Sequence, residues 1–327
     1  MNKFLTDAPV AKPHTFLGFP LVDNFEHFDA DIAILGVPFG VPYSTSGQAN
    51  EQSVSPDHIR NWSSLAEIEM TLNNYDFDLG GTLLDGKEIK VVDCGNAKSS
   101  LINPMEHYDN AEQIARKVFS ANTVLITLGG DHGVSIPIIK ALDALDKEIT
   151  LIHIDAHLDW RDEVNGEAQG YSSVIRRASE MPFIKGIHQI GMRGIGSATT
   201  KEVKDAQAYG SNITTAYEMH DKGIEEVLKT IPDNGTYYLT IDADGIDPTI
   251  MPGVLAQTPG GLNWLQLHKL IHGLVNKGRV VGMDLVEITP AYDVGNITMI
   301  HAERLLCNFI GATVRAGYFD DCCGKES

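Results

Sequence analysis

The stretch Ile149-Thr150-Leu151-Ile152-His153-Ile154-Asp155-Ala156-His157-Leu158-Asp159 decides the fold. Its first six residues, β-branched or aliphatic except His153, read as a strand buried on both faces. They run without a break into an Asp-x-His-x-Asp alternation. On extended backbone residues i and i+2 share a face, so Asp155 and His157 project together from the strand's carboxyl end. Two other runs repeat the arrangement. Val124-Leu125-Ile126-Thr127 leads into Leu128-Gly129-Gly130-Asp131-His132-Gly133, and Tyr237-Tyr238-Leu239-Thr240-Ile241 leads into Asp242-Ala243-Asp244. Unpaired charge beside a core is costly, so three strand ends rich in Asp and His point to bound metal.

Outward from these runs, strand and helix patterns alternate. Strands are predicted at Ile32–Val37, Lys90–Asp93, His188–Gly191, Ile213–Thr215 and Val280–Leu285, besides the three above. Helical spacing covers Asn110–Ser120, Val134–Leu145, Ser173–Ser179, Gly223–Lys229, Trp264–Asn276 and Ile297–Arg315, and a Pro/Gly/Ser-rich loop runs from the first strand to about Pro56. Such alternation implies βαβ units and a three-layer α/β/α fold around a mostly parallel sheet. No linker, repeat or low-complexity segment interrupts residues 1–327, so one domain is expected. In open sheets of this class, sites form outside the carboxyl ends of the strands. All three Asp/His runs fall there.

Composition narrows the function classes. The chain has 327 residues, 25 basic against 44 acidic, and a formal net charge of −19. That field repels nucleic acid and anionic membrane and attracts cations. No run approaches the roughly 18 consecutive apolar residues of a membrane span. Met1-Asn2-Lys3-Phe4-Leu5-Thr6-Asp7 lacks the apolar stretch of a secretory signal. Cys94, Cys307 and the pair Cys322-Cys323 match no zinc spacing. The first two read as small buried apolar residues, and the expected compartment is the cytoplasm.

The candidate ligands are His132, Asp155, His157, Asp159, Asp242 and Asp244. One ordinary site takes three or four protein ligands; six, with carboxylates able to bridge, suit two divalent cations. Imidazole and oxygen without thiolate favour Mn²⁺, then Ni²⁺, with Co²⁺ and Zn²⁺ also compatible. A water shared by two such ions loses a proton near neutral pH, which is the chemistry of hydrolysis. Asp131 and Asp247 read as loop-orienting acids, and His153 as a packed histidine or one that supports a ligand from behind. His188, His268, His272 and His301 carry no role. Trp160 and Tyr171 flank the site loop, either lining a pocket or packing.

Taken in order, these motifs resemble the ureohydrolases: arginase, agmatinase and related amidinohydrolases. The similarity runs through Gly36-Val37-Pro38-Phe39, Gly129-Gly130-Asp131-His132, Asp155 to Asp159, Ile241 to Pro248, Pro259-Gly260-Gly261-Leu262 and Asp284-Leu285-Val286-Glu287-Ile288-Thr289-Pro290. It implies an arginase/deacetylase-like fold with His132, Asp155, Asp159 and Asp242 on one ion. Asp155, His157, Asp242 and Asp244 would hold the other. It further implies that Glu287 pairs with a substrate guanidinium, that a bridging hydroxide attacks its carbon, and that Asp159 passes the proton to the departing nitrogen. Urea and an amine result. By the same resemblance, the assembly is a homo-oligomer, trimer or hexamer, or a hetero-oligomer with a paralogue.

Two departures bear on the substrate. Ten residues beyond Asp159, where family members carry histidine before glycine, this chain has Gln169-Gly170. Glutamine bonds hydrogen but cannot titrate, so the proton route or the substrate differs, or activity is lost. Agmatinase-type members follow their first strand with a Gly-Ala-Arg turn; here Ser46-Gly47-Gln48-Ala49-Asn50-Glu51-Gln52 stands instead. Asp162, Glu163 and Glu167 give the site loop an acidic face, solvated by default. No Asn/Ser set for an α-carboxylate is present, which disfavours arginine. Agmatine, guanidinobutyrate, guanidine and a biguanide such as metformin remain as substrates. The contrasting reading is a catalytically silent, metal-binding partner of an active paralogue. A single-zinc deacetylase of related fold would leave half of the ligands unused.

Overall fold

The computed structural model describes residues 14–320 except 23, 42, 44–50, 66–67, 100–102 and 196–197. Residues 46–50 of the altered loop and the Cys322-Cys323 pair therefore lie outside the described residues. The strands are β1 (Ile32–Val37), β2 (Val91–Asn96), β3 (Val124–Gly129), β4 (Ile149–Ile154), β5 (Ile184–Met192), β6 (Asn212–Thr215), β7 (Thr236–Asp242) and β8 (Arg279–Val286). They form one sheet in the order β2-β1-β3-β8-β7-β4-β5-β6, and every strand pairing is parallel.

Helices cover both faces, which explains why the strands read as unbroken apolar runs. In β1, Ile32 and Ile34 enter one core with Ile59, Leu267, Leu270, Leu305 and Phe309. The intervening Ala33, Leu35 and Val37 enter the opposite core with Ala111, Val118, Ile138 and Val174. The period of two in the strand thus meets the period of 3.6 in helices Ser55–Leu65, Trp264–Lys277 and Ile297–Arg315 on one side. Helices Pro104–Ser120, Ser135–Lys140 and Val174–Ser179 cover the other.

The expected elements need local correction. The Val134–Leu145 helix is α-helical only over Ser135–Lys140, flanked by 3₁₀ turns at His132–Val134 and Ala141–Leu145. The loop thought to reach Pro56 ends earlier, because helix Ser55–Leu65 begins there with proline in its first turn. Helices Thr200–Tyr209 and Ala216–Lys222 were not expected, since their apolar periodicity is faint. Each nevertheless starts with a reciprocal capping box, Thr199 with Glu202 and Thr215 with Glu218. Among the described residues, no helix is long and apolar enough to cross a membrane.

The strand order matters most for the site. β8 and β7 lie between β3 and β4, so four adjacent carboxyl ends present His132, Glu287, Asp242 with Asp244, and the Asp155–Asp159 run.

Candidate metal centre

Each strand end turns through a local side-chain-to-backbone bond. Asp131 accepts from the N–H of Gly133 at 3.0 Å, Asp155 from that of His157 at 2.6 Å, and Asp242 from that of Asp244 at 2.8 Å. Asp-x-x turns of this kind end the extended backbone through one carboxylate oxygen of each acid. Two positions adopt left-handed backbone that non-glycine residues rarely take: Asp159 at φ +50° and Glu287 at φ +63°. Both conformations are held by neighbours. The Asp159 carbonyl accepts from Ile175 and Arg176 N–H at 3.1 Å each, and the Glu287 N–H donates to the Gly130 carbonyl at 2.8 Å.

The resulting cluster has two halves. In one, His132 Nδ1 lies 3.3 Å from Asp155 Oδ2, 3.1 Å from Asp159 Oδ2 and 3.3 Å from Asp242 Oδ2. In the other, His157 Nδ1 lies 3.3 Å from Asp155 Oδ1 and 3.1 Å from Asp244 Oδ2. Asp155 therefore faces one half with each carboxylate oxygen. All six predicted residues are brought together.

A buried chain behind His132 orients its ring. Its Nε2 is 2.9 Å from Thr240 Oγ1, and the Thr240 hydroxyl donates to Asp284 Oδ1 at 2.6 Å. Tyr238 donates to the other Asp284 oxygen at 2.8 Å. Since the threonine proton is committed to Asp284, Nε2–H donates to Thr240, and Nδ1 faces three carboxylates. That nitrogen is buried without a hydrogen bond of good geometry. Burial opposes protonation of His132, but Asp155, Asp159 and Asp242 outweigh it and hold the imidazole well above its ordinary value. A nitrogen ringed by carboxylates calls for positive charge, a proton or a cation, so the donor set fits a divalent ion.

The electrostatics point the same way. Burial, then Asp244 and Asp155, pushes the Asp242 carboxyl well above its ordinary range. Burial and Asp155 push Asp244 up to about 6 and also raise Asp159. Burial opposes ionisation of Asp155 too, but His153, His132 and His157 outweigh it and hold this carboxyl low. Burial opposes protonation of His157, but Asp155 and Asp244 outweigh it and push the imidazole up to about 12. Four carboxylates so close repel one another, and added positive charge relieves them.

Glu287 sits at the edge of the cluster. Its Oε1 accepts from the His132 N–H and its Oε2 from Gln52 Nε2, both at 2.8 Å. Burial, followed by Asp131, pushes its carboxyl up to about 8. Gln169 is half-buried; its carbonyl accepts from the Tyr108 hydroxyl at 2.9 Å and its N–H donates to Glu167 at 2.7 Å. Glu167 thus organises its own loop, while Asp162 pairs with Arg177 at 2.6 Å.

The flanking residues fall into place around the cluster. His153 is fully buried and supports a ligand, bonding Asp155 Oδ2 at 2.8 Å, with Gln189 on its other nitrogen at 3.2 Å. Trp160 is buried and packs on Tyr209, whereas Tyr171 is 45% exposed and meets Tyr43 in a tilted contact at 4.6 Å between ring centroids. Asp247 accepts from Gly260 and Gly261 N–H at 2.8 and 3.2 Å, tying the 259–262 run to β7's exit. Arg193 went unnoticed in the sequence. Its guanidinium is buried among backbone carbonyls, including those of Asp244 and Thr258 at 2.6 Å, and staples the loop that carries Asp244. Thr240 and Asp284 had a signal, being polar residues within apolar strands, but nothing local tells that they bond each other.

A sequence profile described as the Arginase family matches residues 30–311. An agmatinase from Sodalis glossinidius is 32% identical over 301 residues, covering 90% of this chain and 91% of the relative. A guanidinobutyrase from Pseudomonas aeruginosa is 30% identical over 311 residues, covering 92% of this chain and 93% of the relative. Among solved structures, proclavaminate amidino hydrolase from Streptomyces clavuligerus superposes with a TM-score of 0.80 at 25% identity, covering 94% of this chain and 98% of that one.

Proposed function

Because this chain belongs to the arginase family, whose agmatinase and guanidinobutyrase members act on amidino C–N bonds, we propose that it hydrolyses a small guanidino compound to urea and an amine. The observation that carries the reading is the two-sided use of Asp155, one oxygen toward His132 and the other toward His157. Two cations fit that arrangement, with His132, Asp155, Asp159 and Asp242 holding one, and Asp155, His157, Asp242 and Asp244 the other. Mn²⁺ is the first choice and Ni²⁺ the second for imidazole and carboxylate donors. When bound, such ions supply charge stabilisation and make water acidic enough to be a nucleophile near neutral pH.

The chain's own groups divide the remaining work. Glu287 takes the guanidinium through a charge-assisted fork. Asp159, raised by burial and by Asp155, accepts a proton and returns it to the departing nitrogen. Gln169 cannot titrate, so it serves by hydrogen bonding rather than as a proton carrier. Agmatine, guanidinobutyrate, guanidine and metformin are the substrates to try.

The test is urea release from those four compounds, with Mn²⁺ or Ni²⁺ and with metal content measured. Glu287→Ala is expected to keep two metals per chain and lose turnover by at least about 1000-fold, the scale of removing a principal electrostatic contact. Normal activity in that variant overturns the clamp. Two metals with turnover only beside a co-expressed homologue overturns the enzyme reading in favour of a silent partner.

A further inference from the structure

The clamp carboxylate is itself held, and the residue holding it lies in the loop where this chain departs from its family's pattern. Gln52 belongs to the short 3₁₀ turn Glu51–Val54, is 6% exposed, and places Nε2 at 2.8 Å from Glu287 Oε2 across 235 residues of sequence. The other oxygen, Oε1, is held by the His132 N–H. A carboxylate offers about four lone-pair sites. Among the described residues two are spent, one on each oxygen, which leaves one on each. That remaining pair matches the forked N–H edge of a guanidinium.

We infer that Gln52 is a specificity-determining positioning residue: it fixes the plane of the Glu287 carboxylate, without neutralising it, for a guanidinium bearing two unsubstituted nitrogens on one edge. The inference rests on the proposed role of Glu287 and extends it. An amide orients the carboxylate and leaves its charge available to the substrate, whereas a lysine or arginine at this position would pair with Glu287 and compete with the cation. Tyr171 lies against Tyr43 with the rings tilted, and its phenol is within the field of Glu287, Asp131 and Asp159.

The experiment compares the metal-loaded wild type with Gln52→Met and Gln52→Lys. Methionine keeps the length and packing of glutamine but removes the donor; lysine adds the competing charge. For the substrate turned over best, Gln52→Met is expected to raise KM about 10-fold or more, the scale of a hydrogen bond to a charged group. Its kcat stays within about 3-fold, and metal content and melting temperature are unchanged. Gln52→Lys is expected to raise KM by more than about 100-fold, since it removes the clamp's charge-assisted pairing. A KM within 2-fold of wild type, or a loss in kcat alone, in Gln52→Met overturns the inference while leaving the hydrolase reading intact. Calorimetric titration with guanidinium chloride separates the two proposals if no substrate turns over. Wild type binding the ion about 10-fold more tightly than Gln52→Met supports the Gln52 role, and equal binding or none overturns it.

Discussion

The two halves of the cluster share Asp155 but differ in what stands behind their imidazoles. His132 is sealed, with its Nε2 committed to Thr240 and, through it, to Asp284 and Tyr238. His157 keeps 19% of its side-chain exposure and, without a cation, is held protonated by Asp155 and Asp244. Without a cation the carboxylates hold both imidazoles protonated, His132 through Asp155, Asp159 and Asp242, so each half sheds a proton when metal binds. The inner half is oriented from behind and the outer half open to solvent, in a cluster whose donors look alike in sequence.

The sharpest break in that comparison is Asp155→Ala, which removes the carboxylate that faces both imidazoles. It is expected to take metal content from about two per chain to none and to abolish turnover, whereas His157→Ala loses one metal and keeps the inner one. Elemental analysis after gel filtration decides, and one tightly held metal in Asp155→Ala would defeat the shared-ligand assignment. A smaller effect is expected from Thr240→Val, which keeps the shape of the side chain but breaks the chain from His132 to Asp284. Affinity at the inner half should fall roughly 10–100-fold, as for other supports of a ligating histidine. Thr240→Ser should restore it, and the outer half should be unaffected; chelator competition measures both.

The smallest effect is the pH dependence of the outer half. Because His157 lies near 12 in the metal-free protein, it is protonated at neutral pH, so binding must release a proton and affinity must rise with pH. About 10-fold per pH unit is expected for each proton released. Titration calorimetry in buffers of different ionisation enthalpy measures that release. Binding of metal at the outer half without proton release would overturn the protonated state of His157.

Much of this was legible along the chain. The six candidate ligands announce themselves because strand and turn chemistry are local: an apolar run, then acids alternating on one face. Likewise Asp131 and Asp247 read as loop-orienting residues, and they bond neighbouring backbone N–H groups. His153 was legible only as two alternatives, because an imidazole in an apolar strand packs or bonds according to what the next turn returns, here Asp155. Gln52 gave no signal of its partner, which lies 235 residues away.

The sequence by itself determined that parallel strands would end in acids and imidazoles, since the period-two alternation and the Asp turns depend only on neighbouring residues. The tertiary structure alone decided that β8 and β7 would separate β3 from β4, bringing four strand ends into one rim. It also decided that Thr240 would meet Asp284, that Arg193 would staple the Asp244 loop, and that Gln52 would reach Glu287. Contacts between distant segments depend on the strand order and on how both sheet faces are covered, and no local spacing encodes either.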